Sequence, residues 1–263
     1  HLTDYIPGKH FPYAKLLPPK WKKYLDTSEV TTAEVFKNNG YKTAHIGKWH
    51  LGKDSIYWPE NHGFDINIGG YSGGSPIQNK RKGKNGYFSP YGNPKLKDGS
   101  KDEYLTNRIA MEAKKFITKN KSTPFFLNFW LYSVHMPLQA KNEKIQKYEN
   151  LKDYSKKHKN VVYAAMIEHM DEAVGKILKT LVELDLDKKT IIVFTSDNGG
   201  LVGNHKRFKE SITSNFPLRS GKGDIYEGGV RVPCIFYYPN KMKPRVDDTP
   251  IISPDFLPTL INL

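Results

Sequence analysis

Three apolar segments of the chain each end in a cluster of polar residues, and this pattern constrains the fold more than any other feature. The segments span residues 41–46, 125–131 and 190–194, with helical or glycine-rich stretches between them. Alternating helices and apolar strands are typical of an α/β protein with a mostly parallel central sheet and helices on both faces. Ligands bind beyond the carboxyl ends of the strands in such sheets. We therefore expect the three polar clusters to converge on one site.

The clusters contain side chains that bind anions or divalent cations. Lys48 and His50 lie two residues apart, so in an extended segment both point to one side, where they can hold an anion and relay a proton. His135 follows the second strand. Asp197 and Asn198 follow the third, and their oxygens are hard ligands suited to Ca²⁺ or Mg²⁺. The alternative interpretations are a solvated loop around a packed tryptophan, a structural histidine and an Asx-turn.

A further candidate, Lys222, lies in a glycine-rich loop. Gly221 and Gly223 flank it and allow the backbone to approach a ligand closely. The alternative is an ordinary flexible loop in solvent.

Local signals predict four helices and the burial of several strands. Thr31 with Glu34 predicts a capping box, and Gly40 predicts the end of that first helix. Apolar spacing predicts helices over 102–118 and 161–184, and a last helix begins near Pro254. We expect the strand at 125–131 in the middle of the sheet and the strands at 190–194 and 234–238 to be buried. Residues 1–21 are predicted to form an extended surface arm.

Charge and cysteine content exclude some classes of protein. The 263 residues include 41 Lys and Arg against 27 Asp and Glu, a formal net charge of +14. The single cysteine, Cys234, excludes an intrachain disulfide framework and a cysteine-cluster zinc site. No apolar run approaches the ~20 residues of a membrane span. The basic residues concentrate at 79–101 and 141–159, which favours a polyanionic partner or simply a solvated lysine-rich surface.

Longer segments around the candidate residues resemble one family. The chain resembles the type I sulfatases of the alkaline phosphatase superfamily over nearly its entire length, which implies an alkaline-phosphatase-like α/β sandwich. The segments that carry the resemblance are Gly40–Gly52, Ser133–Pro137, Ser196–Gly200, Gly221–Pro233 and Ser253–Leu260.

The resemblance implies a role for each basic candidate. Lys48 and Lys222 match the lysines that contact sulfate in the family. His135 matches the histidine that protonates the leaving alcohol. His50 matches the histidine beside a formylglycine, whose hydrate attacks the sulfur, and this histidine helps to expel sulfate from the covalent intermediate.

The resemblance also implies a metal site and parts that lie outside this sequence. Asp197 and Asn198 match the second pair of ligands of a divalent cation, usually calcium, with magnesium as an option. The first aspartate pair and the formylglycine, made from Cys or Ser in a Cys/Ser-x-Pro-x-Arg signature, are expected upstream of His1. Cys234 does not match that signature. We therefore interpret residues 1–263 as an N-terminally truncated large catalytic domain of a sulfatase without the C-terminal subdomain, and expect no turnover from it alone.

The expected activity is sulfuric ester hydrolysis, with a sulfated polysaccharide or oligosaccharide as substrate and no nucleic acid partner. The resemblance to the family implies a periplasmic or secreted location, since sulfated glycans are met outside the cytoplasm, and no signal peptide is visible in this sequence. Two alternatives stay open. One is a phosphate or phosphonate monoester hydrolase of the same superfamily, and the other is a non-catalytic polyanion-binding pseudoenzyme.

Overall fold

The structure is a computed structural model that divides into two units. One unit comprises His1–Asn142 and Ala165–Ile177, and the other comprises Glu143–Ala164 and Leu178–Leu263. The residues described are 15, 17, 22–76, 78–79, 84–151, 160–203, 211–239 and 241–263. Nearly all of the predicted N-terminal arm therefore lies outside the described residues.

Helices and strands alternate over much of the described chain, as the sequence predicts. The helices are α1 (Thr32–Asn38), α2 (Leu105–Lys119), α3 (Asn142–Glu149), α4 (Val161–Glu183), α5 (Glu227–Val230) and α6 (Phe256–Asn262). The strands are β1 (Lys42–Gly47), β2 (Ile66–Ile68), β3 (Gln78–Asn79), β4 (Lys84–Asn85), β5 (Phe125–Trp130), β6 (Ile192–Thr195) and β7 (Cys234–Tyr237). None of the described helices is both long and apolar enough to cross a membrane.

The four predicted helices are confirmed. Thr31 Oγ1 accepts a hydrogen bond from Glu34 N at 3.2 Å, and Glu34 Oε2 accepts one from Thr31 N at 2.7 Å, so the capping box of α1 is complete. Gly40 follows with a φ of +83°. The helix α2 begins later than predicted, at Leu105, but its apolar face is buried as expected. A short 3₁₀ turn over Ser253–Asp255 leads into α6.

A parallel sheet in the first unit has the order β2-β1-β5. Its middle strand is β1, which is buried from Thr43 to Gly47. The prediction that the apolar strand at 125–131 lies in the middle was wrong, because β5 is an edge of the described sheet and Trp130 is exposed. A continuous apolar run indicates that both faces of a strand are packed. It does not show whether the strand has one or two hydrogen-bonded neighbours in the sheet.

The second unit contains an antiparallel pair formed by β6 and β7. Both strands were predicted to be buried, and the structure contradicts this: Phe194 is 36% exposed and Ile235 is 58% exposed. A two-stranded ribbon has two faces and little to cover them, so within this described unit its apolar side chains stay partly in solvent.

Candidate active site

The turn that follows β1, residues 47–52, carries Lys48 and His50 and is called the Lys48 turn here. Lys48 N donates to Trp130 O at 2.7 Å, and His50 N donates to Tyr71 O at 3.0 Å. Both side chains are half-buried. His50 has a φ of +68°, a left-handed conformation that is uncommon for residues other than glycine and is often found at functional sites. Lys48 and His50 are thus carried by a turn whose backbone is hydrogen-bonded to Trp130 and to Tyr71.

Gly47 sets the direction in which the chain leaves β1. Its φ is +125°, and a Cβ at this residue would lie 1.8 Å from Trp130 O. A larger residue would push β1 away from β5 and break the hydrogen bond between Lys48 N and Trp130 O. Glycine is therefore required where the Lys48 turn begins.

A buried tryptophan anchors the middle of the Lys48 turn. Trp49 is 5% exposed, and its Nε1 donates to Tyr57 O at 2.8 Å. The rings of His45 and His62 pack against its indole, with centroids 5.0 Å and 5.7 Å away. Trp49 is therefore packed, as one interpretation of the sequence expected, and its contacts fix the turn that carries Lys48 and His50.

The two histidines that contact Trp49 are fully buried, with backbone groups of Gly47 and Lys48 near the His45 ring and of Tyr57 near the His62 ring. Burial lowers the pKa of His45 to about 4, because the charged ring loses its hydration. Burial also lowers the pKa of His62. Both rings are consequently neutral at pH 7.

The turn that follows β5, residues 132–137, carries His135 and is called the His135 turn here. Because β1 and β5 are parallel and Gly47 pairs with Trp130, the Lys48 turn and the His135 turn leave the same edge of the sheet. His135 N donates to Tyr132 O at 3.0 Å, which closes the turn. The structure therefore places two of the three predicted clusters next to each other.

The ring of His135 is oriented by a neighbouring backbone group. Its Nδ1 lies 2.9 Å from Met136 O. A carbonyl oxygen can only accept, so Nδ1 carries the hydrogen of this bond. In the imidazolium form of His135 the second proton is on Nε2, the nitrogen that can donate to a leaving group.

In the second unit, Asp197 and Asn198 lie in the Asp197 loop, residues 196–200, directly after β6. Asp197 is exposed and Asn198 is half-buried. Asx-turns from these two residues would use the amides of Gly199 and Gly200. Those amides donate elsewhere: Gly199 N to Gly229 O at 3.0 Å, and Gly200 N to the side-chain oxygen of an asparagine at 3.1 Å. The Asx-turn interpretation therefore lacks its hydrogen bonds.

Lys222 is attached to the Asp197 loop. Its backbone N donates to Gly200 O at 3.0 Å, and its side chain is half-buried. Asn215 joins the two segments, because its Oδ1 accepts from Gly200 N while its Nδ2 donates to Gly200 O at 2.9 Å and to Ser220 O at 3.0 Å. The structure thus brings a candidate anion-binding lysine beside the candidate metal ligands.

The oxygen chemistry of the Asp197 loop suits a hard cation. Asp197 offers a carboxylate, and Asn198 uses its Nδ2 to donate to Gly199 O at 3.1 Å, which leaves Oδ1 as the atom that can face a cation. In the described part of the chain, no group of three or more His, Cys, Asp or Glu could hold a metal ion. Two oxygens are too few for a calcium site, so further ligands would have to join them.

The candidate residues thus fall into two sets. Lys48, His50 and His135 lie in the first unit, and Asp197, Asn198 and Lys222 lie in the second. Each set is brought together by hydrogen bonds or strand pairing within its own unit. Convergence of both sets on one site stays a prediction.

Three residues that support these turns were missed by the sequence analysis. Gly74, Tyr87 and Asn215 each contact a candidate residue or the turn that carries it. Short polar or glycine-rich segments surround all three, and nothing local distinguishes them. Only the contacts with distant parts of the chain identify them.

Comparison with known proteins defines the class of this chain. A family model described as Sulfatase matches residues 2–263. The chain belongs to the sulfatase family, and its solved structural neighbours confirm the alkaline-phosphatase-like α/β fold that the sequence predicts.

Individual relatives cover nearly all of this chain. A sulfatase of Formosa agariphila is 29% identical over 295 residues, which cover 94% of this chain and 52% of the relative. An arylsulfatase of Hemicentrotus pulcherrimus is 30% identical over 270 residues, which cover 96% of this chain and 46% of the relative. The crystal structure of Ps i-CgsB in complex with k-i-k-neocarrahexaose is 32% identical with a TM-score of 0.65, over 82% of this chain and 49% of that one. The chain thus spans about half the length of the relatives that it matches.

Proposed function

We propose that this chain contributes to a sulfuric ester hydrolase that releases sulfate from a sulfate ester. The observation that carries the proposal is the pairing of β1 with β5 in a chain of the sulfatase family, because this pairing puts the Lys48 turn beside the His135 turn. In this proposal Lys48 is the cation, His50 the proton relay and His135 the proton donor at that edge of the sheet.

The lysines neutralise the sulfate group. Sulfate-ester cleavage spreads negative charge over the oxygens on sulfur and over the leaving oxygen, and fixed cations stabilise that charge. Lys48 is set by its backbone bond to Trp130, and Lys222 by its backbone bond to Gly200. Both side chains are half-buried, which strengthens their interaction with an anion relative to a fully solvated lysine.

The histidines move protons. As the bond between sulfur and the leaving oxygen breaks, that oxygen takes the electron pair, and His135 in its imidazolium form gives it the proton on Nε2. The bond from Nδ1 to Met136 O keeps the ring oriented during this transfer. His50 relays a proton during the release of sulfate, and the hydrogen bond from its backbone N to Tyr71 O fixes its position.

The remaining chemistry needs two groups from outside these residues. A calcium ion held in part by Asp197 and Asn198 would polarise the sulfate oxygens, and a formylglycine hydrate would supply the attacking oxygen. Cys234 is not the precursor of that nucleophile, since the residues that follow it do not match the Cys/Ser-x-Pro-x-Arg signature.

The proposed substrate is a sulfated polysaccharide or oligosaccharide, and the proposed location is periplasmic or secreted. In support, a solved relative holds k-i-k-neocarrahexaose, a hexasaccharide by its name. The net charge of +14 would attract a polyanion. Sulfated glycans are met outside the cytoplasm, which is the argument for the location.

The test uses the product of the complete gene, matured with formylglycine. Sulfate release from sulfated oligosaccharides and from an aryl sulfate is measured by ion chromatography, with and without calcium. Lys48→Ala should lower kcat/KM roughly 100- to 1000-fold, whereas Lys42→Ala, which removes an exposed lysine from the other end of β1, should leave it unchanged.

Two results would contradict the proposal. Release of phosphate but not sulfate from matched monoesters would favour phosphoryl transfer. Absence of both activities, combined with polyanion binding that falls steeply with salt and ignores calcium, would favour the non-catalytic alternative.

A further inference from the structure

Tyr87 connects the loop that precedes α2 to the His135 turn. It is fully buried, and it lies 48 residues before His135 in the sequence. Its hydroxyl is 2.7 Å from Tyr132 O and 2.9 Å from His135 O. These are the first and last carbonyl groups of the segment that the hydrogen bond from His135 N to Tyr132 O closes. The single hydroxyl hydrogen is thus shared between the two ends of the segment that carries His135.

The backbone of Tyr87 is fixed as well, so the hydroxyl cannot follow the turn if the turn moves. Tyr87 N donates to Gln139 Oε1 at 2.9 Å, and Leu105 N donates to Tyr87 O at 2.7 Å. The ring stacks on Tyr104 with a centroid distance of 5.6 Å. Tyr87 is therefore held between the start of α2 and the chain beyond the His135 turn.

A second buried tyrosine connects the same turn to the residues that support His50. Tyr132 OH donates to Gly69 O at 2.7 Å, and two residues further on Tyr71 O accepts the hydrogen bond from His50 N. The His135 turn thus lies in a hydrogen-bonded network that extends to the Lys48 turn, and within it the Tyr87 hydroxyl contacts both Tyr132 O and His135 O.

We propose that Tyr87 is a positioning residue for His135, which holds the imidazole in the orientation required for proton donation to the leaving oxygen. The inference rests on the proposed function for the role of His135, and it adds a residue that acts on that histidine through the backbone. Burial raises the pKa of the Tyr87 hydroxyl well above its usual value, so the group stays a hydrogen donor at all working pH values.

The chain provides a matched control in Tyr91. This tyrosine is 2% exposed and lies in the same loop, and its hydroxyl donates to Glu103 O at 3.1 Å. None of its described hydrogen bonds reaches the His135 turn. Tyr91→Phe removes a buried hydroxyl just as Tyr87→Phe does, so a comparison of the two separates loss of orientation from loss of stability.

The first experiment needs no turnover. The imidazole resonances of the 263-residue chain are followed by NMR against pH, with His135 assigned by its disappearance in His135→Gln. We expect Tyr87→Phe to change the His135 ring shifts and its titration midpoint, and Tyr91→Phe to change neither. An unchanged His135 signal in folded Tyr87→Phe, or an equal change in both variants, would overturn the proposal. If Tyr87→Phe does not fold, Gln139→Ala, which removes the acceptor of the hydrogen bond from Tyr87 N, takes its place, and an unmoved His135 signal in that variant has the same meaning.

The second experiment uses the matured product of the complete gene and two sulfate esters. A positioned acid matters most when the leaving alcohol is a poor leaving group. Tyr87→Phe should therefore lower kcat for a sugar sulfate by roughly 10- to 100-fold, and lower kcat for an aryl sulfate with a good leaving group much less. Equal losses for both esters would contradict a role through His135. Absence of sulfate release in the unsubstituted enzyme would refute the proposed function, while the NMR result still decides the positioning role.

Discussion

Gly74 lies against the ring of His50, so closely that a Cβ at residue 74 would come within 2.5 Å of both Cε1 and Nδ1 of the imidazole. The segment around residue 74 therefore forms one wall of the space that His50 occupies, and the wall is backbone. His50 cannot rotate toward this side, which limits the directions in which its ring can point.

Gly74→Ala should lower activity more than stability. The added methyl group must displace the His50 ring, and a displacement of about 1 Å at a catalytic group can cost roughly 100-fold in rate. Gly175→Ala is the control, since nothing lies within 4 Å of a Cβ there and the change within α4 should be neutral or slightly stabilising. Sulfate release and the unfolding midpoint are measured for both variants. Equal activities would show that the His50 ring is not held by this wall.

Acid should destabilise the base of the Lys48 turn through His45. The folded pKa of about 4 lies below the ordinary value of 6.5, so between these pH values the unfolded chain binds a proton that the folded chain does not. Protonation of His45 does not lower the free energy of unfolding above pH 6.5. As the pH falls from 6.5 to 4 the free energy of unfolding decreases, and below pH 4 it levels off after a loss on the order of 3 kcal/mol. Urea unfolding at pH 7 and pH 5 checks this. His45→Leu should remove part of the difference, and an unchanged pH dependence in that variant would exclude His45 as its source.

Asp197 should determine the calcium requirement. Removal of its carboxylate in Asp197→Ala removes a charged oxygen ligand, so the calcium concentration for half-maximal activity should rise roughly tenfold or more. Asp171→Ala, which removes an exposed carboxylate from α4, is the charge-matched control. The measurement is sulfate release across a calcium titration after treatment with a chelator. If both variants required the same calcium concentration for half-maximal activity, Asp197 would not be a ligand of the metal.

The 263-residue chain alone should release no sulfate. It contains candidate lysines, histidines and metal ligands but no Cys/Ser-x-Pro-x-Arg signature from which a formylglycine could form. An aryl sulfate assay with calcium checks the expectation. Calcium-dependent hydrolysis by this chain would mean that another group supplies the attacking oxygen.

Local sequence signals were sufficient for several helices and for the turns that follow two strands. The capping box at Thr31, the periodicity of α4 and the polar residues that follow β1 and β5 depend on neighbours within a few residues, so the sequence alone predicts them. The edge placement of β5 and the exposure of β6 depend instead on which strands pair and what covers them. No property of the apolar runs themselves records this information.

The contacts that support the candidate site could not be predicted from the sequence, for the same reason. Asn215 bonds across 15 residues to the Asp197 loop, and Tyr87 bonds across 48 residues to His135. A single asparagine or tyrosine in a polar segment carries no local mark of such a partner. Knowledge of the fold is required before these residues can be distinguished from ordinary loop residues.

The tyrosine network has a consequence for the order in which the first unit is assembled. Its bonds join residues 48, 52 and 63 positions apart, so each one closes a long loop and gains nothing until the intervening chain is in place. The capping box of α1 needs only nearby residues and can form early during synthesis. A nascent chain that ends before Gln139 lacks the acceptor for Tyr87 N, so His135 can be oriented only well after the first helix and the loop before α2 have been synthesised.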